Sequence, residues 1–195
     1  MSRVSYTAFQ RHLLFFSTPT HPPRLTFLSA LRAATKLGLD MPVAFLLSLS
    51  LRLMYAPFPS LLSPVNVEQI PMSKHRTQLA HVELAKDKKE YTCGELLTLL
   101  NAESKGKEKD FMEKKIDQGH VVGFWVMAAS TKTNRIGRDD VEMFQKGEWE
   151  EAVVERRRER SDVLPLWRGG PIWTAGHSWA ARRLLGVRVY EAKKE

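Results

Sequence analysis

Six histidines and a single cysteine are the side chains of this 195-residue chain best suited to chemistry near neutral pH. An imidazole can ligate a metal through either ring nitrogen or carry a proton. His12 stands in the aromatic stretch Phe9-Gln10-Arg11-His12-Leu13-Leu14-Phe15-Phe16, where Phe9, Leu13 and Phe16 recur at helical spacing. On that evidence alone it reads as a core histidine with its hydrogen bonds satisfied. His75 follows Lys74 in a polar stretch. His21, His81, His120 and His177 lie in no motif and are expected at the surface or in structural places. Cys93 has no partner cysteine, which excludes an internal disulfide framework and a Cys-based zinc site.

Charge narrows the partners. The chain carries 30 Lys+Arg against 22 Asp+Glu, a net charge of +8. Residues 1–67 hold six of those basic groups and one acid, Asp40, whereas the remainder is nearly balanced. A cationic, apolar N-terminal third suits an anionic membrane surface. Nucleic acid is the weaker match, because no Lys/Arg cluster with interleaved aromatics occurs there.

The elements that must position these residues are mostly helical. A first helix runs over Tyr6 to Phe16 and ends at Ser17-Thr18-Pro19-Thr20-His21-Pro22-Pro23, a stiff loop in which three prolines fix φ. A second helix spans about Thr26 to Leu39, with Gly38 as its stop. Thr92 followed three residues on by Glu95 is a capping-box start. Glu103 to Lys115 is densely charged and reads as solvated. The nine residues Val121 to Ala129 are core or interfacial. Arg138 to Arg160 reads as one helix interrupted at Gly147, with Glu155-Arg156-Arg157-Arg158-Glu159-Arg160 as its solvated end. Short strands are expected only beside the first loop and near Val65–Ile70. Residues 161–195 differ in character: Arg168-Gly169-Gly170-Pro171 signals a turn, and tryptophans cluster there.

Met41 to Val67 is the most unusual stretch, charged only at Arg52. A helix from Pro42 must break by Ala56, before Pro57, Pro59 and Pro64. About 14 residues then reach about 21 Å, short of a hydrocarbon core of roughly 30 Å. One reading is a monotopic hairpin that enters one leaflet, with Arg52 near the interface. The other is a buried core helix followed by a proline-rich loop.

Four of these stretches together resemble the caleosins, the calcium-binding, haem-containing oil-body proteins. Phe9 to Phe16 is similar to the family's histidine-bearing helix that leads into an EF-hand loop. Thr26 to Leu39, ending Lys36-Leu37-Gly38-Leu39, is similar to the exiting helix. Tyr55-Ala56-Pro57-Phe58-Pro59 with Ser63-Pro64 resembles the proline knot of the central hydrophobic segment. Val65 to Ile70 with Lys74-His75 resembles the next strand-like segment and its Lys-His motif, although Arg76-Thr77-Gln78 replaces Gly-Ser-Asp. More weakly, Thr92 to Leu96 and Val126 to Trp149 are similar to the family's C-terminal half. The resemblance covers about residues 8–158, and residues 161–195 match nothing in it.

The resemblance implies a mainly α fold: a degenerate EF-hand-like helical region over 1–40, a central membrane-associated hydrophobic hairpin with a proline knot over 41–67, a C-terminal helical region over 68–160, and a Trp-rich tail over 161–195. It implies that His12 and His75 are the residues that ligate haem iron and carry catalysis. Calcium is expected to be lost, because the loop from Ser17 has no carboxylate at the positions that need oxygen ligands. The implied activity is a haem peroxygenase of the lipid droplet or endoplasmic reticulum surface, passing oxygen from a fatty acid hydroperoxide to an unsaturated lipid. The partners are then a lipid monolayer or membrane surface, and not nucleic acid. Two alternatives stay open: a non-catalytic caleosin-derived structural protein of the droplet surface, and a soluble basic binding module.

Overall fold

The computed structural model describes residues 6–56, 63–70, 78–103 and 111–191. Pro57, Pro59, Ser60, Lys74 and His75 lie outside them, so the proline knot and the second histidine of the implied haem pair have no structural description. Among the described residues the protein is mainly helical. In chain order the elements are α1 (Ala8–Phe15), β1 (Arg24–Leu25), α2 (Phe27–Lys36), α3 (Met41–Tyr55), β2 (Val65–Asn66), β3 (Glu90–Tyr91), α4 (Cys93–Glu103), α5 (Phe111–Ala128), β4 (Ile136–Gly137), α6 (Arg138–Lys146), α7 (Glu150–Arg158) and α8 (Thr174–Ala180). A π-helical turn over Ala181–Leu185 continues α8.

The starts of the helices follow from local chemistry. Thr7 and Gln10 cap α1 reciprocally, Thr26 and Ser29 cap α2, and Thr92 and Glu95 cap α4, each pair satisfying two backbone donors that a helix start leaves free. Asp40 accepts from Met41 N–H at the head of α3, where Pro42 needs no donor. Gly38 adopts φ +92, a left-handed stop that ends α2 as its sequence position predicts.

Four two-residue strands tie the helices into pairs. β1 and β2 are antiparallel with Leu25 opposite Val65, and β3 and β4 are antiparallel with Tyr91 opposite Ile136. All four of these residues are buried. The residues that follow them, Thr26, Asn66, Thr92 and Gly137, each stand at the head of a helix or 3-10 turn. One pattern, a buried strand residue followed by a cap, therefore occurs four times in two facing pairs. The main core runs from Phe9 and Leu13 through Leu25, Val67, Tyr91, Leu96 and Phe124 to Trp149 and Val153, so segments distant in sequence share it.

Several expectations change here. Val121 to Ala129 is core as expected, with Val121, Phe124, Ala128 and Ala129 buried, but it is not a separate run. Up to Ala128 it is the inner end of the 18-residue α5, which begins at Phe111 with the exposed Glu113, Lys114 and Lys115 in its first turns. Gly147 does more than interrupt a helix over 138–160. At φ +76 it terminates α6, accepting the left-handed conformation that lets its N–H bond Phe144 and a new helix begin at Glu150. The basic end of α7 is not solvated throughout. Arg157 is fully buried, donating to Met127 O at 2.8 Å and pairing with Asp162, and Arg156 donates to Ala128 O at 2.9 Å.

Arg52 is buried as well, its guanidinium donating to Leu25 O at 2.9 Å and to Ser63 O, so it holds the β1–β2 corner from inside the protein. Ala44, Ser48 and Arg52 form the buried side of α3, with Ala44 in one cluster with Ala34 of α2. Its other side, with Phe45, Leu46, Leu49, Leu53 and Met54, is exposed. No helix among the described residues is long and apolar enough to cross a membrane.

His177, on α8, is buried with Nδ1 3.1 Å from Asp40 Oδ1. Burial pushes its imidazole below the ordinary value, and Asp40 offsets that only in part. The unfolded chain therefore binds a proton that the folded chain refuses. Stability is complete above the ordinary histidine value near 6.5 and falls as pH drops below it. Thermal unfolding between pH 7.5 and 5 should show this loss of Tm, reduced in a His177→Gln variant. An unchanged pH profile in that variant assigns the loss to other groups.

Candidate functional site

A cavity of about 190 Å³ lies between α1, α3, α5 and the α6–α7 turn. Its wall is almost wholly apolar: Phe9, Leu13 and Phe16 from α1, Leu47, Leu51 and Tyr55 from α3, Phe124 and Met127 from α5, and Phe144 and Trp149 beyond. Aromatic rings interlock around it. Phe124 stacks on Phe144 at 4.2 Å between centroids and meets Trp149 edge-on at 5.1 Å. Ser50, Met54 and Gly119 are lining residues that are also exposed, so the cavity opens beside the exposed side of α3.

His12 is in this wall. One ring nitrogen, Nδ1, is bound by the Glu150 carboxylate, and the ring lies between Phe16, at 5.4 Å, and Trp149, stacked at 5.9 Å. The two partners are 138 residues apart in sequence. Gly147 turns the chain so that Glu150 enters α7 at its first position, where the helix dipole favours an anion, and the carboxylate is thereby tolerated in a buried place. A carboxylate on Nδ1 is the arrangement that orients a ligating imidazole, because it fixes the tautomer and leaves Nε2 as the donor. Trp149 Nε1 is buried with no hydrogen-bond partner among the described residues, a further polar atom in the wall.

A second imidazole, His120, lines the same cavity. Treating Val121 to Ala129 as an isolated run hides it. The periodicity signal exists once the run is extended: His120, Gly123, Phe124 and Met127 follow the i, i+3, i+4, i+7 spacing of one helix face. Gly119 and Gly123 leave open space where a Cβ would stand, which widens the cavity on that side. His75 lies outside the described residues. His21 and His81 are exposed, and His177 belongs to the α8 contact described above.

An imidazole whose Nδ1 is held by a buried carboxylate, aromatic walls and few polar groups suit the ring of an iron porphyrin in their chemistry. The cavity of about 190 Å³ is below the roughly 300–1,000 Å³ of most ligand pockets and would have to widen to take one. The loop after α1 has a different character. Ser17 Oγ donates to Leu13 O, Thr18 and Thr20 hydroxyls bond each other at 2.8 Å, and Thr20 also donates to Pro22 O, so its oxygens are engaged within the loop. Among the described residues no three His, Cys, Asp or Glu side chains cluster as a metal site. Comparison with protein-family models, curated proteins and solved structures finds no match.

Proposed function

We propose that this chain is a caleosin-like haem protein working at a lipid surface, with peroxygenase activity on fatty acid hydroperoxides and unsaturated lipids. The observation that carries the reading is the His12–Glu150 pair in the wall of an apolar, aromatic cavity. The four strand-and-cap units in two facing pairs support the finer reading of the fold as degenerate EF-hand-like, with α3 in the place of the membrane-associated hydrophobic segment.

His12 would hold the haem iron through Nε2, and His75 is the second ligand that the family resemblance implies. Bound there, a haem would supply the chemistry of oxygen-atom transfer from a hydroperoxide to an acceptor lipid. The chain supplies the rest. The Glu150 carboxylate accepts a hydrogen bond from His12 Nδ1–H and fixes the ring. The Phe, Leu and Met wall receives a hydrocarbon chain and excludes water, and the mouth beside Met54 faces the exposed side of α3, through which a lipid chain can enter. His120 is an imidazole in that wall able to take or return a proton.

Expression with haem supplied, followed by absorption spectra, tests the reading. The wild type shows the band of a histidine-ligated haem, and His12→Ala and His75→Ala lose it. Glu150→Gln weakens haem affinity about 10–100-fold, the usual cost of removing a partner that orients a metal-binding histidine. A wild type without the band, or a His12→Ala spectrum like that of the wild type, overturns the assignment. The carboxylate-free loop favours what then remains, a non-catalytic structural protein of the droplet surface.

A further inference from the structure

We infer that residues 163–190 form a rigid anchor for anionic lipid surfaces, separate from the exposed side of α3. Six large apolar side chains stand out of this segment: Leu166, Trp167, Ile172, Trp173, Trp179 and Leu184, from 62% to 83% exposed. Soluble monomers seldom present so much apolar surface without a partner for it.

Collapse does not remove them because the backbone beneath is held. Arg168 is buried and ties the segment to the end of α5 through the carbonyls of Val126 and Ala129, among others. Gly169 O accepts from Asp40 N–H at 2.8 Å. Tyr190, fully buried, donates its hydroxyl hydrogen to Gly38 O and accepts from Leu164 N–H at the two ends of the segment. The tryptophans are thus presented by a fixed scaffold, and binding costs little ordering.

Charge selects the occupant. From Val163 to Tyr190 there is no Asp or Glu, while Arg182, Arg183 and Arg188 are exposed. The flanking Glu191 lies 3.8 Å from Arg182 and 3.9 Å from Arg188, contacts too long and too exposed to neutralise the cluster. Trp179 shares a helical face with Arg182 and Arg183 at i+3 and i+4. Tryptophan and arginine on one face match the boundary between headgroups and hydrocarbon. Single-stranded nucleic acid also takes aromatic and basic side chains, but the aliphatic Leu166, Ile172 and Leu184 answer to hydrocarbon and not to bases. Gly169 packs against Val43 at the start of α3, so the anchor borders the exposed side of that helix.

The test is co-sedimentation of the full chain with vesicles of phosphatidylcholine alone or with 30% phosphatidylserine (roughly the anionic content that gives a leaflet its surface potential). Wild type should favour the anionic vesicles. Ile172→Ser with Trp179→Ala should weaken binding about tenfold or more, through lost apolar burial. Arg182→Gln with Arg183→Gln should weaken it roughly 25-fold at low salt, and high salt should abolish the difference. All four side chains are exposed, so an unchanged Tm verifies that each variant is folded. Leu46→Ser with Leu53→Ser probes α3 separately. If only the α3 variant loses binding, the anchor is overturned while the lipid-surface part of the proposed function stands. A wild type that binds neither vesicle, or binds a single-stranded oligonucleotide instead, overturns the anchor, and the haem spectrum still decides the catalytic reading independently.

Discussion

Replacing Arg168 with leucine should destabilise the protein by about 3–5 kcal/mol, a fall in Tm of roughly 10–15 °C for a chain of this length. The last turn of α5 leaves carbonyls without intrahelical donors, and arginines from later segments answer them: Arg168 takes Val126 O, Arg157 takes Met127 O and Arg156 takes Ala128 O. Arg168 holds the helix end and the residues just past it together: Nε donates to Val126 O at 2.8 Å, Nη2 to Ala129 O at 2.6 Å and Nη1 to Ser130 O at 3.2 Å. Its guanidinium also lies 5.2 Å from the Trp125 ring. Burial, with the nearby Arg157 charge adding to it, pulls the group down to about 10, still fully protonated at neutral pH. It stays charged there because the oxygens and the negative end of the α5 dipole stand in for a carboxylate. Leucine leaves the carbonyls of Val126 and Ala129 without that donor and a void beside them, while Ser130 O keeps Asn134 N–H. Lysine keeps the charge but not the planar fork, so Arg168→Lys should fall between the two. Chemical denaturation of the three proteins checks the order, and a leucine variant within about 1 kcal/mol of wild type contradicts it.

Gly147→Ala should cost about 3 kcal/mol and should also disable the cavity. Two effects combine. An L-residue at φ +76 carries a penalty of about 1–2 kcal/mol. In addition, an added Cβ would lie 2.7 Å from the Ala8 carbonyl carbon and closer still to its oxygen, so α1 must move away. Overpacking of this kind adds typically 1–3 kcal/mol. Gly186 provides the control: it has φ +67, and nothing lies within 4 Å of a Cβ there. Gly186→Ala should therefore show the backbone penalty without the clash. Moving α1 separates His12 from Glu150, so Gly147→Ala should lose ligand affinity beyond its loss of stability, whereas Gly186→Ala should not. Equal stability losses in the two variants would contradict the account of the α1 contact.

Both predictions turn on contacts between residues far apart in sequence, and that is where reading the chain alone stops. His12 could be marked as a helical residue among aromatics, but Glu150 is one of several acids at the head of a charged segment, and nothing local joins them. Arg52, Arg157 and Arg168 look like solvent-facing or interfacial arginines in sequence. Each is buried because carbonyls brought by another part of the chain await it: Leu25 for Arg52, Met127 for Arg157, Val126 and Ala129 for Arg168. His120 was within reach of helical periodicity, since its stripe with Gly123, Phe124 and Met127 is regular, but the charged residues before it mask the helix start.

Local events are set by neighbouring residues. The stop at Gly38, the head of α3 at Asp40-Met41-Pro42, its end at Ala56 and the Thr92–Glu95 cap all follow from the φ limits of glycine and proline and from side chains reaching backbone one to three residues away. Tertiary structure alone decided which strand residues face each other, Leu25 with Val65 and Tyr91 with Ile136. It likewise decided which arginines are buried, which side of α3 stays exposed, and that α1, α5 and the head of α7 close one apolar cavity around His12. The physical reason is range. Dihedral preferences and capping act within a turn, whereas burial and the pairing of a charge depend on surfaces that meet only when the chain has folded.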